Sequence, residues 1–154
     1  MLGSMSKAMG TNGGFLAGRK ELVDLFRRSP EASGSTIPPP PVAGAALAAL
    51  KIIRTDPGPR RRMEANAVFM RRTLAGAGIA LVDTRHPILG MLLADEAEAV
   101  ALDKHCYGRG LWIPYFKYAS EPRHNLLRAA ARAVYTDELL ARFAEAIRTR
   151  GTAA

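Results

Sequence analysis

The chain has 154 residues and carries 22 Lys and Arg against 14 Asp and Glu, a formal charge of +8. That length suits one domain or two small lobes, and a composition 48% hydrophobic and 23% charged excludes whole-chain disorder, collagen-like repeats and coiled coil. The longest apolar stretch, Val42 to Leu50 with Ile52 and Ile53 after it, falls short of the roughly 20 residues a membrane span needs. Met1 to Lys7 lack the basic-then-apolar layout of a secretory signal, which points to a cytoplasmic protein with no membrane partner. The single cysteine, Cys106, permits no internal disulfide.

In chain order, the first eighteen residues are rich in glycine around one lysine and read as loop and then strand, with Phe15-Leu16-Ala17 as the buried run. Leu22, Leu25 and Phe26 recur at helical spacing between Arg19 and Arg28, and Ser29-Pro30 ends that helix. Residues 29 to 41 carry Pro30, Gly34 and the run Pro38 to Pro41, which predicts an extended connector that is not helical before its last proline. Pro41 then opens an Ala-rich helix from Val42 to Arg54, which Asp56-Pro57-Gly58-Pro59 breaks. A second helix starts near Arg60, with Met63, Ala67, Met70 and Leu74 on its buried face, and ends around Gly76 or Gly78.

Beyond Gly78 the pattern changes to an α+β module: strands at Ile79 to Val82 and Ile88 to Leu93, a helix from Glu96 to Tyr107, and a strand from Leu111 to Tyr118. The closing helix takes Thr136 as its N-cap and buries Leu140, Phe143 and Ile147. These changes of pattern predict three parts, 1–41, 42–77 and 78–150. Between Asn125 and Val134 the alanine content favours helix.

The positive charge raises nucleic acid as a ligand, but only Arg60-Arg61-Arg62 and Arg71-Arg72 cluster, with no aromatic side chain interleaved in the triplet as a stacking platform. These charges read as solvated helix faces, and no nucleic-acid partner is expected. His105 and Cys106 are adjacent and diverge by about 100° on a helix, so they do not form a nucleophile and base pair. With His86 and His124 scattered elsewhere, the sequence holds no metal-ligand spacing.

The most informative stretch is Ser4-Met5-Ser6-Lys7-Ala8-Met9-Gly10, followed by Gly13-Gly14-Phe15-Leu16-Ala17-Gly18. A lysine attacks an aldehyde only when neutral, which asks for desolvation or a neighbouring cation, and a buried loop beside a strand supplies the first. The hydroxyls and glycines suit an anion such as a phosphate ester. The same spacing also fits an ordinary surface turn.

This lysine motif resembles that of fold-type-I pyridoxal-phosphate enzymes, especially the α-oxoamine synthases. Ser35-Thr36-Ile37-Pro38-Pro39 is similar to the family's Ser-Thr-x-x-Pro-Pro stretch at its dimer interface. Leu127-Arg128 with Tyr135-Thr136-Asp137-Glu138 is similar to its closing strand and helix. The resemblance implies an α/β fold, the C-terminal end of the large cofactor domain (1–41) followed through connecting helices (42–77) by a small α+β domain (78–150). It implies that Lys7 holds pyridoxal phosphate and later moves the proton at the substrate α-carbon. By the same resemblance Ser4 binds the cofactor phosphate, Ser35 and Thr36 reach a neighbouring subunit's phosphate, and Arg128 pairs with the amino-acid carboxylate.

In the family the aspartate facing the pyridine nitrogen and the residue stacked on the ring precede the lysine motif, so this chain corresponds to the C-terminal portion of such an enzyme. The implied reaction condenses an amino acid with an acyl-CoA thioester and releases carbon dioxide, in a homodimer. An aminotransferase of the same fold and a non-catalytic fragment are the alternatives. The resemblance also implies that Arg128 stands on a strand, against the helical propensity of its neighbours.

Overall fold

The computed structural model describes residues 1–33, 38–84, 86–116 and 125–151. They form two compact units, Met1–Pro57 and Gly58–Ala154. The first opens with an antiparallel hairpin of β1 (Leu2–Ser4) and β2 (Gly14–Leu16), in which Ser4 faces Gly14. Helix α1 (Lys20–Arg27) follows, then the single turn α2 (Pro30–Ser33) and the long α3 (Pro40–Thr55). Every buried apolar side chain among the described residues lies in the second unit, so Leu25, Phe26 and Leu47 of the first remain exposed.

One expectation for the connector is corrected here. Pro30 and Pro40 each open a helix, although the proline content argued for extended chain up to Pro41. The reason is that the first helical position needs no N–H. At Pro30 the turn is also capped, because the Ser29 hydroxyl accepts the Ala32 N–H at 3.3 Å. Helix α3 belongs to the first unit, whereas α4 (Gly58–Gly76) belongs to the second.

The second unit is a four-stranded antiparallel sheet in the order β3 (Ala80–Leu81), β4 (Ile88–Leu93), β6 (Asn125–Ala130), β5 (Tyr115–Phe116), packed against α4 and α5 (Glu96–Tyr107), with α6 (Asp137–Arg148) lying against those two helices. Ala67, Met70 and Leu74 of α4 are buried as their spacing predicts, and Met63 is half-buried. Gly78, at φ 73°, turns the chain out of α4, with the Ile79 N–H returning to the Leu74 carbonyl at 3.0 Å. Leu74, Leu89, Met91, Leu127 and Ile147 are fully buried. Asp95 caps α5 by accepting the Glu98 N–H at 2.7 Å, while the Glu98 carboxylate accepts the Ala94 N–H at 2.8 Å. Thr136 caps α6 through the Leu139 N–H at 3.2 Å, as expected.

Residues 125–130 are strand, as the resemblance implies, and not helix. Pairing with β4 on one side and β5 on the other outweighs alanine's helical preference, and Leu127, Ala129 and Ala131 alternate into the core. The strand expected from Leu111 to Tyr118 is shorter within the described residues: its pairing with β6 covers only Tyr115 and Phe116. Residues 111–114 run outside the ladder, and Pro114 has no N–H to give it. No helix among the described residues is long and apolar enough to cross a membrane.

Candidate active site

The lysine motif forms the connection between β1 and β2. The Met5 N–H donates to the Gly13 carbonyl at 2.9 Å, and the Thr11 N–H donates back to Met5 at 3.0 Å, which closes the loop at its base. Inside it, the Gly10 N–H donates to the Lys7 carbonyl at 3.0 Å, so Lys7 begins a tight turn whose fourth residue is Gly10, at φ 60°. Gly13 stands at φ 91°, and an added Cβ would approach the Met5 methyl to 3.2 Å. Glycine is therefore required at the position that returns the chain to β2.

Ser4 and Ser6 meet on this loop. Their hydroxyls are 2.6 Å apart, and the Ser6 N–H donates to Ser4 Oγ at 3.2 Å. When Ser6 donates its hydroxyl hydrogen to Ser4, the Ser4 O–H is left to donate outward to an anion. A shallow hollow of about 590 Å³ beside the hairpin is lined by Ser4, Gly13, Gly14 and Phe15, but not by Lys7. Lys7 itself is exposed. The burial that its loop was expected to supply does not come from the described residues. The loop thus carries a primary amine next to Ser6 in the sequence, and its two converging hydroxyls are able to serve an anion.

Arg128 stands on β6 opposite Gly90 of β4, between the buried Leu127 and Ala129, and strand alternation turns it to the exposed side. Ser35, Thr36 and His124 lie outside the described residues. Among the described residues no three His, Cys, Asp or Glu side chains converge as a metal site.

Sequence reasoning missed two arrangements in the second unit. His105 Nε2 lies 2.9 Å from the Ala146 carbonyl, while Arg109 Nη1 lies 3.2 Å from His105 Nδ1. A carbonyl only accepts and a guanidinium only donates, so these contacts pair Nε2 as donor with Ala146 and Nδ1 as acceptor with Arg109, and the ring bridges α5 and α6. The second is a cavity of about 430 Å³ where residues 110–114 diverge from β6, bordered by Trp112, Arg128, Arg132 and Tyr135. Neither carries a local sequence signal, because each joins residues distant in the chain. Next to His105, Cys106 is fully buried, and burial, with the Asp103 carboxylate adding to it, pushes its thiol up to about 11.

The sequence pattern of the family described as "Aminotransferase class I and II" matches residues 1–147. An 8-amino-7-oxononanoate synthase of Anaeromyxobacter dehalogenans is 34% identical over 152 residues, covering 95% of this chain and 38% of that protein. Among solved structures, serine palmitoyltransferase of Sphingomonas wittichii superposes with a TM-score of 0.89 at 24% identity, over 98% of this chain and 39% of that one. The 8-amino-7-oxononanoate synthase of Francisella tularensis gives a TM-score of 0.83 at 20% identity, over 96% of this chain and 44% of that one. The chain spans between 32 and 40% of the length of the first curated relatives it matches.

Proposed function

Because the chain belongs to the class I and II aminotransferase family, we propose that it is the lysine-bearing part of a pyridoxal-phosphate-dependent acyltransferase. That enzyme condenses an amino acid with an acyl-CoA thioester and releases carbon dioxide. The observation that carries this reading is the hairpin loop, which joins Lys7 to two serine hydroxyls 2.6 Å apart. Its likeness to fold-type-I enzymes is one of fold.

When bound, pyridoxal phosphate supplies an electron sink for charge at the substrate α-carbon. Lys7 Nζ would hold the cofactor and would move the proton at that carbon. Ser4 donates its hydroxyl hydrogen to a phosphate oxygen, and Ser35 and Thr36 serve the phosphate in a neighbouring subunit. Arg128 pairs with the amino-acid carboxylate through its planar fork. We place the enzyme in the cytoplasm and read it as a homodimer, the second supported by the apolar side chains of Leu25, Phe26 and Leu47 that the first unit leaves exposed.

The test is carbon dioxide release by this chain within the whole enzyme, supplied with pyridoxal phosphate and a panel of amino acids, with and without acyl-CoA. Release that requires both substrates supports the acyltransferase. Formation of 2-oxo acids without any thioester assigns an aminotransferase instead, and neither product assigns a non-catalytic chain. Arg128→Ala is expected to weaken amino-acid binding by roughly 30-fold or more and cofactor binding much less, with Arg128→Lys recovering only part.

A further inference from the structure

The cavity at the divergence of residues 110–114 from β6 has the makings of a ligand site that needs neither Lys7 nor the cofactor. Its volume, about 430 Å³, is in the range of small-molecule sites. Its base is apolar: Met70 and Phe143 are buried and Leu139 is half-buried. Its rim is aromatic and cationic. Trp112 is 79% exposed, an unusual cost for a side chain with so much apolar area to bury. Tyr135 is fixed by its hydroxyl, which donates to the Ala130 carbonyl at 3.0 Å. Arg132 is held at the main chain, whose carbonyl accepts from the Asn66 side chain at 2.8 Å, and its guanidinium is exposed with no partner among the described residues. Among the described residues no carboxylate lines the cavity.

We infer that this cavity binds an amphipathic carboxylate, its anionic head on Arg132 and its alkyl or aryl body between the Trp112 indole and the base formed by Met70, Leu139 and Phe143. An apolar base without a cation would favour neutral ligands, and a cation without the base would favour small inorganic anions. The two together select a molecule that carries both groups. Arg128 lines the same cavity, but the head is assigned to Arg132, so loss of amino-acid binding in Arg128→Ala and loss of this site are separate results.

Trp112 is the only tryptophan in the chain, so emission excited at the red edge, where tyrosine does not absorb, reports on this cavity alone. The full chain is titrated with octanoate, with 1-octanol and with inorganic phosphate. Octanoate is expected to shift the emission to shorter wavelength and to saturate, with 1-octanol and phosphate each at least roughly tenfold weaker. Arg132→Ala should bring octanoate down to the level of 1-octanol, and Arg132→Lys should retain part of the difference. Because the Arg132 side chain is exposed and the Asn66 bond is to its backbone, the alanine variant keeps the fold. Equal binding of octanoate and 1-octanol, phosphate as potent as octanoate, or unchanged octanoate affinity in Arg132→Ala would each overturn the assignment.

Discussion

Asn66, in the first half of α4, donates its side-chain N–H to the main-chain carbonyl of Arg132, 2.8 Å away and 66 positions later in the chain. The bond ties the helix that forms one side of the core to the segment leaving β6, and so fixes where Arg132 begins. Removing it in Asn66→Ala is expected to cost about 1 kcal/mol, read as a lower urea midpoint with an unchanged slope. Asn66→Asp should cost at least as much, since a carboxylate cannot donate and would face the carbonyl oxygen directly. An aspartate variant as stable as the parent would show that the bond contributes nothing.

Cys106 makes stability fall in alkaline solution. Its folded-state value of about 11 lies above the ordinary value near 9, because burial disfavours the thiolate, the Asp103 carboxylate adds to this, and the Arg109 guanidinium offsets part. Between those values the unfolded chain releases the proton and the folded chain keeps it, so the contribution is intact below about pH 9 and is lost as the pH rises toward 11. The full loss is about 2 to 3 kcal/mol. Urea unfolding at about pH 8 and about pH 10 should show a steeper decline in the parent than in Cys106→Ala, although the variant is less stable throughout for want of the buried sulfur. Equal declines would remove Cys106 from the explanation.

Gly13 sets the geometry of the lysine loop. At φ 91° an alanine is strained by about 1 kcal/mol or more, and its methyl group would press on Met5, the residue that closes the loop against Gly13. Gly13→Ala is expected to slow covalent modification of Lys7 severalfold while leaving amide exchange in residues 58–151 unchanged. Modification at the parent rate would mean that the loop geometry does not matter for Lys7.

The elements most legible in the sequence were those with strong local signals. Ile88–Leu93 and Glu96–Tyr107 coincide with their predicted bounds, and Thr136 caps α6 where its position before Asp137 and Glu138 placed it. Local signals failed where distant partners decide. Asn125–Ala130 carries helical propensity but lies between two strands that satisfy its backbone. The turn at Pro30 does not follow from proline content, because the Ser29 hydroxyl caps it through the Ala32 N–H. At the candidate site, the glycines that shape the loop were readable one by one. The exposure of Lys7 was not, since burial depends on what packs against the loop and not on its own residues. The Trp112 cavity was invisible for a similar reason: it exists only because residues 110–114 separate from β6.

Incubating the purified chain with pyridoxal phosphate, reducing with borohydride and mapping the labelled peptide tests directly whether Lys7 is the cofactor-holding amine. Of the five lysines in the chain, four are described, and among those only Lys7 lies in a loop among serines and glycines. Lys20 is paired with the Asp24 carboxylate on α1, and Lys51 and Lys104 stand on α3 and α5. The label is expected predominantly on Lys7 and should disappear in Lys7→Arg. A label found mainly on Lys20, Lys51, Lys104 or Lys117, or undiminished in the arginine variant, would contradict the assignment.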